Sequence, residues 1–247
     1  MAIRTFCGCE EHLEVINEIR PNLISLKEDD VDLSENVNNQ KWENYFYLLK
    51  GPIFPTLVKE FWKFACISQD GNSIESYLYD FPISVPSSSI AEAIKCAQTG
   101  VTVDEFHHDY CLYEDLREIF HPVNSIPESN SPEGLLDITK HWYIVLINNI
   151  RPKKVDRNVV NHDDKVFLYL VLNKIRINLL QTIFNYLKNC VDNSRGQFKS
   201  YIPYGRILSA LIFKEGLMEI FQRLGPSYAI EEEKFEEIEM KEDLWIY

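Results

Sequence analysis

The six apolar side chains Leu179, Leu180, Ile183, Phe184, Leu187 and Val191 recur at helical spacing, and no other feature constrains the fold of this chain as strongly. Together they make one wide stripe on a single helix. Leaving such a stripe against water is unfavourable, so other elements must cover it. Asn178 is placed to cap this helix and Ser194-Arg195-Gly196 to end it, because glycine enters the left-handed conformation past a helix end without a steric penalty.

The flanking residues punctuate further helices. Asn161 predicts a cap for a helix whose first turn carries Asp163 and Asp164, acids that favour the positive end of the helix dipole. Val166, Phe167, Leu170 and Val171 supply its core face. Pro203 pushes Ile202 toward extended geometry and opens a helix bearing Ile207, Leu208, Leu211 and Ile212.

Upstream, residues 10–19 read as a helix stopped by Pro21, and the acidic, Asn-rich residues 22–40 as a linker. Trp42, Tyr45, Phe46 and Leu49 share a helical face before Gly51-Pro52, and Pro55 starts a helix with Leu57, Val58, Phe61, Trp62 and Ala65 on its buried side. The period then changes to two. Ile74, Ser76 and Leu78 alternate with Glu75, Tyr77 and Tyr79, and Ile83 and Val85 follow, as in a two-stranded ribbon. Ser89 with Glu92 has the pattern of a capping box opening a helix that Gly100 closes. Residues 111–120 predict another helix, and Ser131-Pro132 opens one running through Leu135, Ile138, Trp142 and Leu146 toward Ile150. The expected fold is mainly α, a single helical domain over residues 42–225 with a small two-stranded β-ribbon. It is flanked by an N-terminal helix and linker (1–41) and an acidic tail (226–247).

With 45 % hydrophobic and 13 % aromatic residues, the chain is too apolar to be mostly disordered. No window approaches the roughly 18 uninterrupted apolar residues that cross a bilayer, and no secretory leader is recognisable. A soluble intracellular protein, nuclear or cytoplasmic, with reduced cysteines and no membrane partner is the expectation.

The net charge of −13 is unevenly spread. Residues 142–225 hold thirteen Lys or Arg against six Asp or Glu, whereas residues 226–247 hold eight acids against two lysines. Within the basic stretch, Arg151, Lys153, Lys154 and Arg157 cluster after a helix, and Arg195, Lys199 and Arg206 surround Tyr201 and Tyr204. Cations on phosphates with aromatic stacking would suit DNA or RNA, single strands above all. The alternative is structural: cations offsetting a helix dipole and tyrosines packed in the interior. The acidic residues 231–243 read as a solvated tail or as a helix laid over the basic face.

Candidate chemistry is sparse. His107-His108-Asp109 and His162-Asp163, with His121 and His141 elsewhere, evoke the clusters of metal-dependent phosphohydrolases, but Asp163 already has a role at a helix start. Cys7, Cys9 and His12 offer three soft ligands where structural zinc takes four. With 38 acids in the chain, a transposase-like carboxylate triad is easy to draw and uninformative. No phosphate-cradling loop or nucleophile elbow is present. The sequence therefore assigns no catalytic residue, no metal ligand, no cofactor and no small-molecule substrate.

The segments VNHDDK (160–165), INLLQTIFNYL (177–187), SRGQ (194–197) and YIPYGRILS (201–209), together with YFYLLKGPIFPTLVKEFW (45–62), resemble the plant transposon protein domain. That plant-specific family recurs in reading frames derived from mobile elements. The resemblance spans about residues 42–213 and implies a mainly helical fold and a non-catalytic module, with no catalytic residues to carry across. Its partner would be a protein or a second copy. Because the chain ends soon after this region, a stand-alone fragment or a domesticated remnant is expected rather than a complete element. Tyr79-Asp80-Phe81-Pro82 departs from the glycine-containing segment of the family, so a distorted ribbon is expected there.

Overall fold

The computed structural model describes residues 13–23, 26, 31–96, 98–103, 105–106, 114–122, 130–194 and 201–214. Among these the fold is mainly α with a minor β component. In chain order the elements are β1 (Glu14–Val15), α1 (Ser34–Gln40), α2 (Glu43–Leu48), α3 (Pro55–Phe64), β2 (Cys66–Ile67), β3 (Ser73–Leu78), β4 (Phe81–Pro86) and α4 (Ser87–Ile94). Two 3-10 turns, Asp115–Ile119 and Pro132–Gly134, lead to α5 (Asp137–Val145), which widens into a π-helical turn at Leu146–Ile150. Then come α6 (His162–Leu172), α7 (Leu179–Ser194), β5 (Tyr201–Ile202) and α8 (Gly205–Lys214). The chain divides into two compact units, each assembled from separated stretches. The described part of the first comprises 13–18, 47–95, 183–194 and 201–214; that of the second comprises 19–46 and 96–182.

In the first unit, α3 packs on the antiparallel sheet β2-β3-β4, and α8 packs on α3 and α4. Alternation along β3 buries Ile74, Ser76 and Leu78, and β4 adds Ile83 and Val85. The one polar member of that face, Ser76, donates its hydroxyl to the Phe61 carbonyl of α3, which removes the cost of burying it. The ribbon is regular rather than distorted. Tyr79 and Asp80 both take positive φ, 46° and 70°, as a two-residue type I′ hairpin turn requires, and Leu78 pairs with Phe81 across it. The added third strand, β2, pairs Cys66 with Glu75 and Ile67 with Ile74.

The same unit corrects several boundaries. Residues 14–15 are not helical. They form a parallel strand beside β5, with Glu14 opposite Tyr201 and Val15 opposite Ile202. Helix α4 has no capping box: it starts at Ser87 after extended Pro86, while Glu92 pairs with Lys214 of α8. It ends at Lys95, whose φ is 48°, well before Gly100. Helix α8 starts at Gly205 rather than at Pro203, because Tyr204 takes a positive φ of 62° just before it.

In the second unit, α6 packs against α1, α5 and the 3-10 turn at 115–119. Trp42 is the centre of an aromatic cluster, edge-on to Trp142 at 5.9 Å and stacked on Phe167 at 6.0 Å. The expected linker ends in an ordered helix. Leu33 and Val37 are buried, Asn36 donates to the Val171 carbonyl (2.9 Å), and Gln40 both donates to Ile175 O (2.7 Å) and accepts from Ile177 N (2.9 Å). Asn and Gln are here buried partners of backbone, a use that an Asn-rich composition conceals. The described part of 111–120 is a single 3-10 turn with Leu116 and Ile119 buried. Ser131 does cap the turn at Pro132, accepting from Glu133 N, but α5 begins five residues later. Asn161 and Asn178 accept from Asp164 N (2.9 Å) and Gln181 N (3.1 Å), as their positions predict. Gly196 lies outside the described residues.

Gly100 has a different role from ending α4. Its φ is 128°, and a Cβ there would stand 2.5 Å from the Arg176 carbonyl oxygen, where the backbones of 101 and 177 form a parallel bridge. Gly100→Ala should therefore destabilise the protein by about 3 kcal/mol or more in urea unfolding. Asp80→Gly should instead stabilise it by about 0.5 kcal/mol, because glycine relieves the left-handed strain of the turn at some entropic cost.

Candidate functional site

The basic residues of the second unit surround the start of α6. Asp164, fully buried, occupies the third position of that helix and closes a capping box with Asn161: its Oδ2 accepts from Asn161 N at 3.0 Å, and its own N–H donates to Asn161 Oδ1. Such a carboxylate needs cations. Lys153 Nζ donates to Asp164 Oδ2, and Arg151 lies 3.8 Å from Oδ1 while donating to Asp163 at 3.1 Å. Lys153 also sits 5.6 Å from the ring centroid of Tyr143. The Tyr143 hydroxyl donates to the carbonyls of Arg157 (3.0 Å) and Val159 (2.8 Å), tying down the loop that returns to Asn161.

Arg157 turns inward as well. Its guanidinium donates to the Lys153 carbonyl (2.9 Å) and to Asn148 Oδ1 (2.7 Å) in the π-helical turn. Burial pushes its pKa below the ordinary arginine value, and burial together with the Asp164 charge pushes that of Tyr143 up. Lys154 is exposed.

In the first unit, Tyr201, Tyr204 and Arg206 meet a group that nothing near them in sequence announces. Glu18 is 1 % exposed, and its two oxygens accept from Arg206 N (2.8 Å) and Ile207 N (3.1 Å), so it caps α8 from 188 residues away. The Arg206 side chain donates to the Glu18 carbonyl (2.9 Å) and to the Gly51 carbonyl (2.7 Å). Its pKa is lowered by burial against the opposing pull of Glu18. Ser209, one turn on, accepts from Phe54 N at 2.9 Å. Tyr204 is fully buried, edge-on to Tyr186 at 5.9 Å, and Tyr201 is half-buried with its pKa raised by that burial. Gly205 passes so close to the 15–17 segment that a Cβ would stand 2.2 Å from Asn17 Oδ1.

Of the nine residues that the sequence offers as an interface, four cations hold internal acceptors, one tyrosine is packed, and Lys154 and Tyr201 retain exposure. Arg195 and Lys199 lie outside the described residues. Sequence reasoning missed Glu18 and Asn148, which no local pattern marks, and the Gly51 carbonyl as an acceptor.

No protein-family model, no curated protein and no solved structure matches the chain.

The other candidates disperse. His107, His108, Asp109, Cys7, Cys9 and His12 lie outside the described residues. His141 contacts the Asp137 carbonyl at 2.8 Å, and His121 approaches the Asp137 carboxylate at 3.8 Å. Among the described residues no group of three or more His, Cys, Asp or Glu is arranged to hold a metal ion, and no helix is long and apolar enough to cross a membrane. Cys66, Cys96 and Cys190 form no disulfide among the described residues, and burial pushes Cys96 up to about 11. An open cleft of about 290 Å³ in the first unit runs along Thr56, Lys59, Glu60 and Lys63, where Lys63 pairs with Glu60 at 2.7 Å.

Two measurements probe the carboxylates. Asp164→Ala removes the carboxylate that Lys153 donates to and unmakes the capping box, so it should cost about 3 kcal/mol in urea unfolding, whereas Lys154→Ala should stay within about 0.5 kcal/mol of wild type. Burial raises Glu18 from 4.5 to about 7, against the backbone N–H groups of Arg206 and Ile207 and the Arg206 charge. The folded state thus holds the Glu18 proton more tightly than the unfolded state. Its contribution is fully present below about pH 4.5 and is lost as pH rises through about 7. Over that window wild type should lose on the order of 2–3 kcal/mol relative to Glu18→Gln.

Proposed function

We propose that this chain is a non-catalytic interaction module of mobile-element origin, which binds a protein partner or a second copy of itself through helical faces. The observation that carries this reading is the commitment of four of the five described candidate cations to the fold. Arg151 and Lys153 serve Asp164, Arg157 serves Asn148, and Arg206 serves Glu18 and Gly51. What helices leave outside is partly apolar: Tyr47 of α2 is 72 % exposed and Phe213 of α8 is 60 % exposed. Side chains of that size at the surface suit contact with another protein.

The origin rests on the resemblance to the plant transposon protein domain. Its most specific segments are 161–165, which holds Asp164, 201–209, which holds the Arg206 and Ile207 donors to Glu18, and 177–187, which holds most of the apolar stripe of α7. A module kept for its fold would retain these positions. An intracellular setting, nuclear or cytoplasmic, accords with Cys66, Cys96 and Cys190 standing outside disulfides among the described residues.

Titration of fluorescent single-stranded and double-stranded oligonucleotides at about 50 and 200 mM salt tests the reading, because phosphate binding weakens steeply over that range. No saturable binding is expected at either salt concentration. Saturable binding that falls steeply with salt and is weakened by Lys154→Glu would overturn it in favour of a nucleic-acid-binding module.

A further inference from the structure

We infer that Pro82 and Pro86 guard the outer edge of the β2-β3-β4 sheet, holding β4 closed to strand pairing with a second copy of this chain. This goes beyond the interaction reading and does not depend on it.

The register carries the argument. Across a two-residue type I′ turn the flanking pair exchanges both hydrogen bonds, so Leu78 and Phe81 point their backbone groups at each other. Pairs then alternate. Ser76 with Ile83 and Ile74 with Val85 are hydrogen-bonded, whereas Pro82, Ser84 and Pro86 occupy the non-hydrogen-bonded positions opposite Tyr77, Glu75 and Ser73. The backbone nitrogens of these three residues face away from β3. Because β4 ends the sheet among the described residues, they face the position an incoming strand would take. Two of the three are prolines and have no N–H to offer. Ser84 alone retains an outward donor, and among the described residues no acceptor meets it.

The edge needs such protection. Strand β4 is six residues long, Phe81, Pro82 and Ser84 are exposed along it, and Tyr77 beside it on β3 is 39 % exposed. A regular, partly apolar edge with free N–H groups is a template for a second strand. A proline whose nitrogen faces outward removes the donor without costing a bond to β3. The opposite edge is protected by brevity, since β2 has two residues.

The test restores the donors. In Pro82→Thr/Pro86→Thr, Thr keeps extended backbone and suits the position before α4. Sedimentation velocity over about a hundredfold range of concentration should show the average mass rising to roughly twice that of wild type. Adding Ser84→Pro should return it to the wild-type value, because a proline then blocks the central outward position. A double variant with wild-type near-UV circular dichroism and wild-type mass would overturn the inference. Should the double variant fail to fold, Pro82→Thr and Pro86→Thr are read singly by the same criterion. Hydrogen exchange on the wild type adds an independent check: the Ser84 amide should exchange at least about tenfold faster than those of Ile83 and Val85. Equal protection at the three amides would mean the register is wrong, and the inference would fall with it.

Discussion

A helix that begins inside a protein exposes N–H groups to a medium without water, and each must meet an acceptor. This chain answers with two buried carboxylates. Asp164 acts locally, closing on Asn161 three residues before it, and its charge then draws in Lys153 and Arg151. Glu18 acts at long range, accepting from Arg206 and Ile207, while the Arg206 side chain reaches Gly51. Around the first the loop 151–161 takes its course. Around the second, three distant stretches of the first unit converge. Removing the Asp164 carboxylate takes acceptors from the Asn161 N–H and from Lys153 together, and removing the Glu18 carboxyl leaves the first N–H groups of α8 without theirs.

Elements whose signals are local were legible in the sequence. The stripe of α7, the caps Asn161 and Asn178, Pro55 at the start of α3, and the alternation of β3 and β4 all rest on neighbours within a turn or two. Elements whose stability comes from elsewhere were not. Residues 14–15 carry apolar neighbours at helical spacing, yet pairing with Tyr201-Ile202 makes them a strand. Helix α1 is short and rich in Asn, and it exists because Asn36 and Gln40 satisfy backbone groups about 135 residues away. Tyr79 and Asp80 fill a turn that favours Asn and Gly, so their composition hid a regular hairpin.

The basic surplus of residues 142–225 illustrates the same separation of sequence from space. Counting charge in a window treats every cation as facing water and every partner as nearby. Arg206 lies inside that window while Glu18 lies far outside it, and Arg157 pairs with no acid among the described residues but is held by neutral oxygen atoms. Burial lowers the pKa of both arginines, the sign of cations withdrawn from solvent. Of the cations proposed as an interface, Lys154 is the exposed one within the described residues.

The π-helical turn at Leu146–Ile150 has a consequence for how this chain can vary. All five of its residues are buried, and its two asparagines point different ways: Asn148 accepts from Arg157, while Asn149 accepts from Ile19 N (2.7 Å) and from the Tyr45 hydroxyl on its carbonyl. A π turn holds one residue more than the α turn it replaces. Deleting that residue would leave an unbroken α-helix with better local geometry, yet it would rotate whatever follows by about 100° and take one asparagine off its partners. Substitutions can be absorbed at this point of the chain, but changes of length cannot. The segment 146–150 should therefore keep its residue count across any set of related sequences, even where its side chains change.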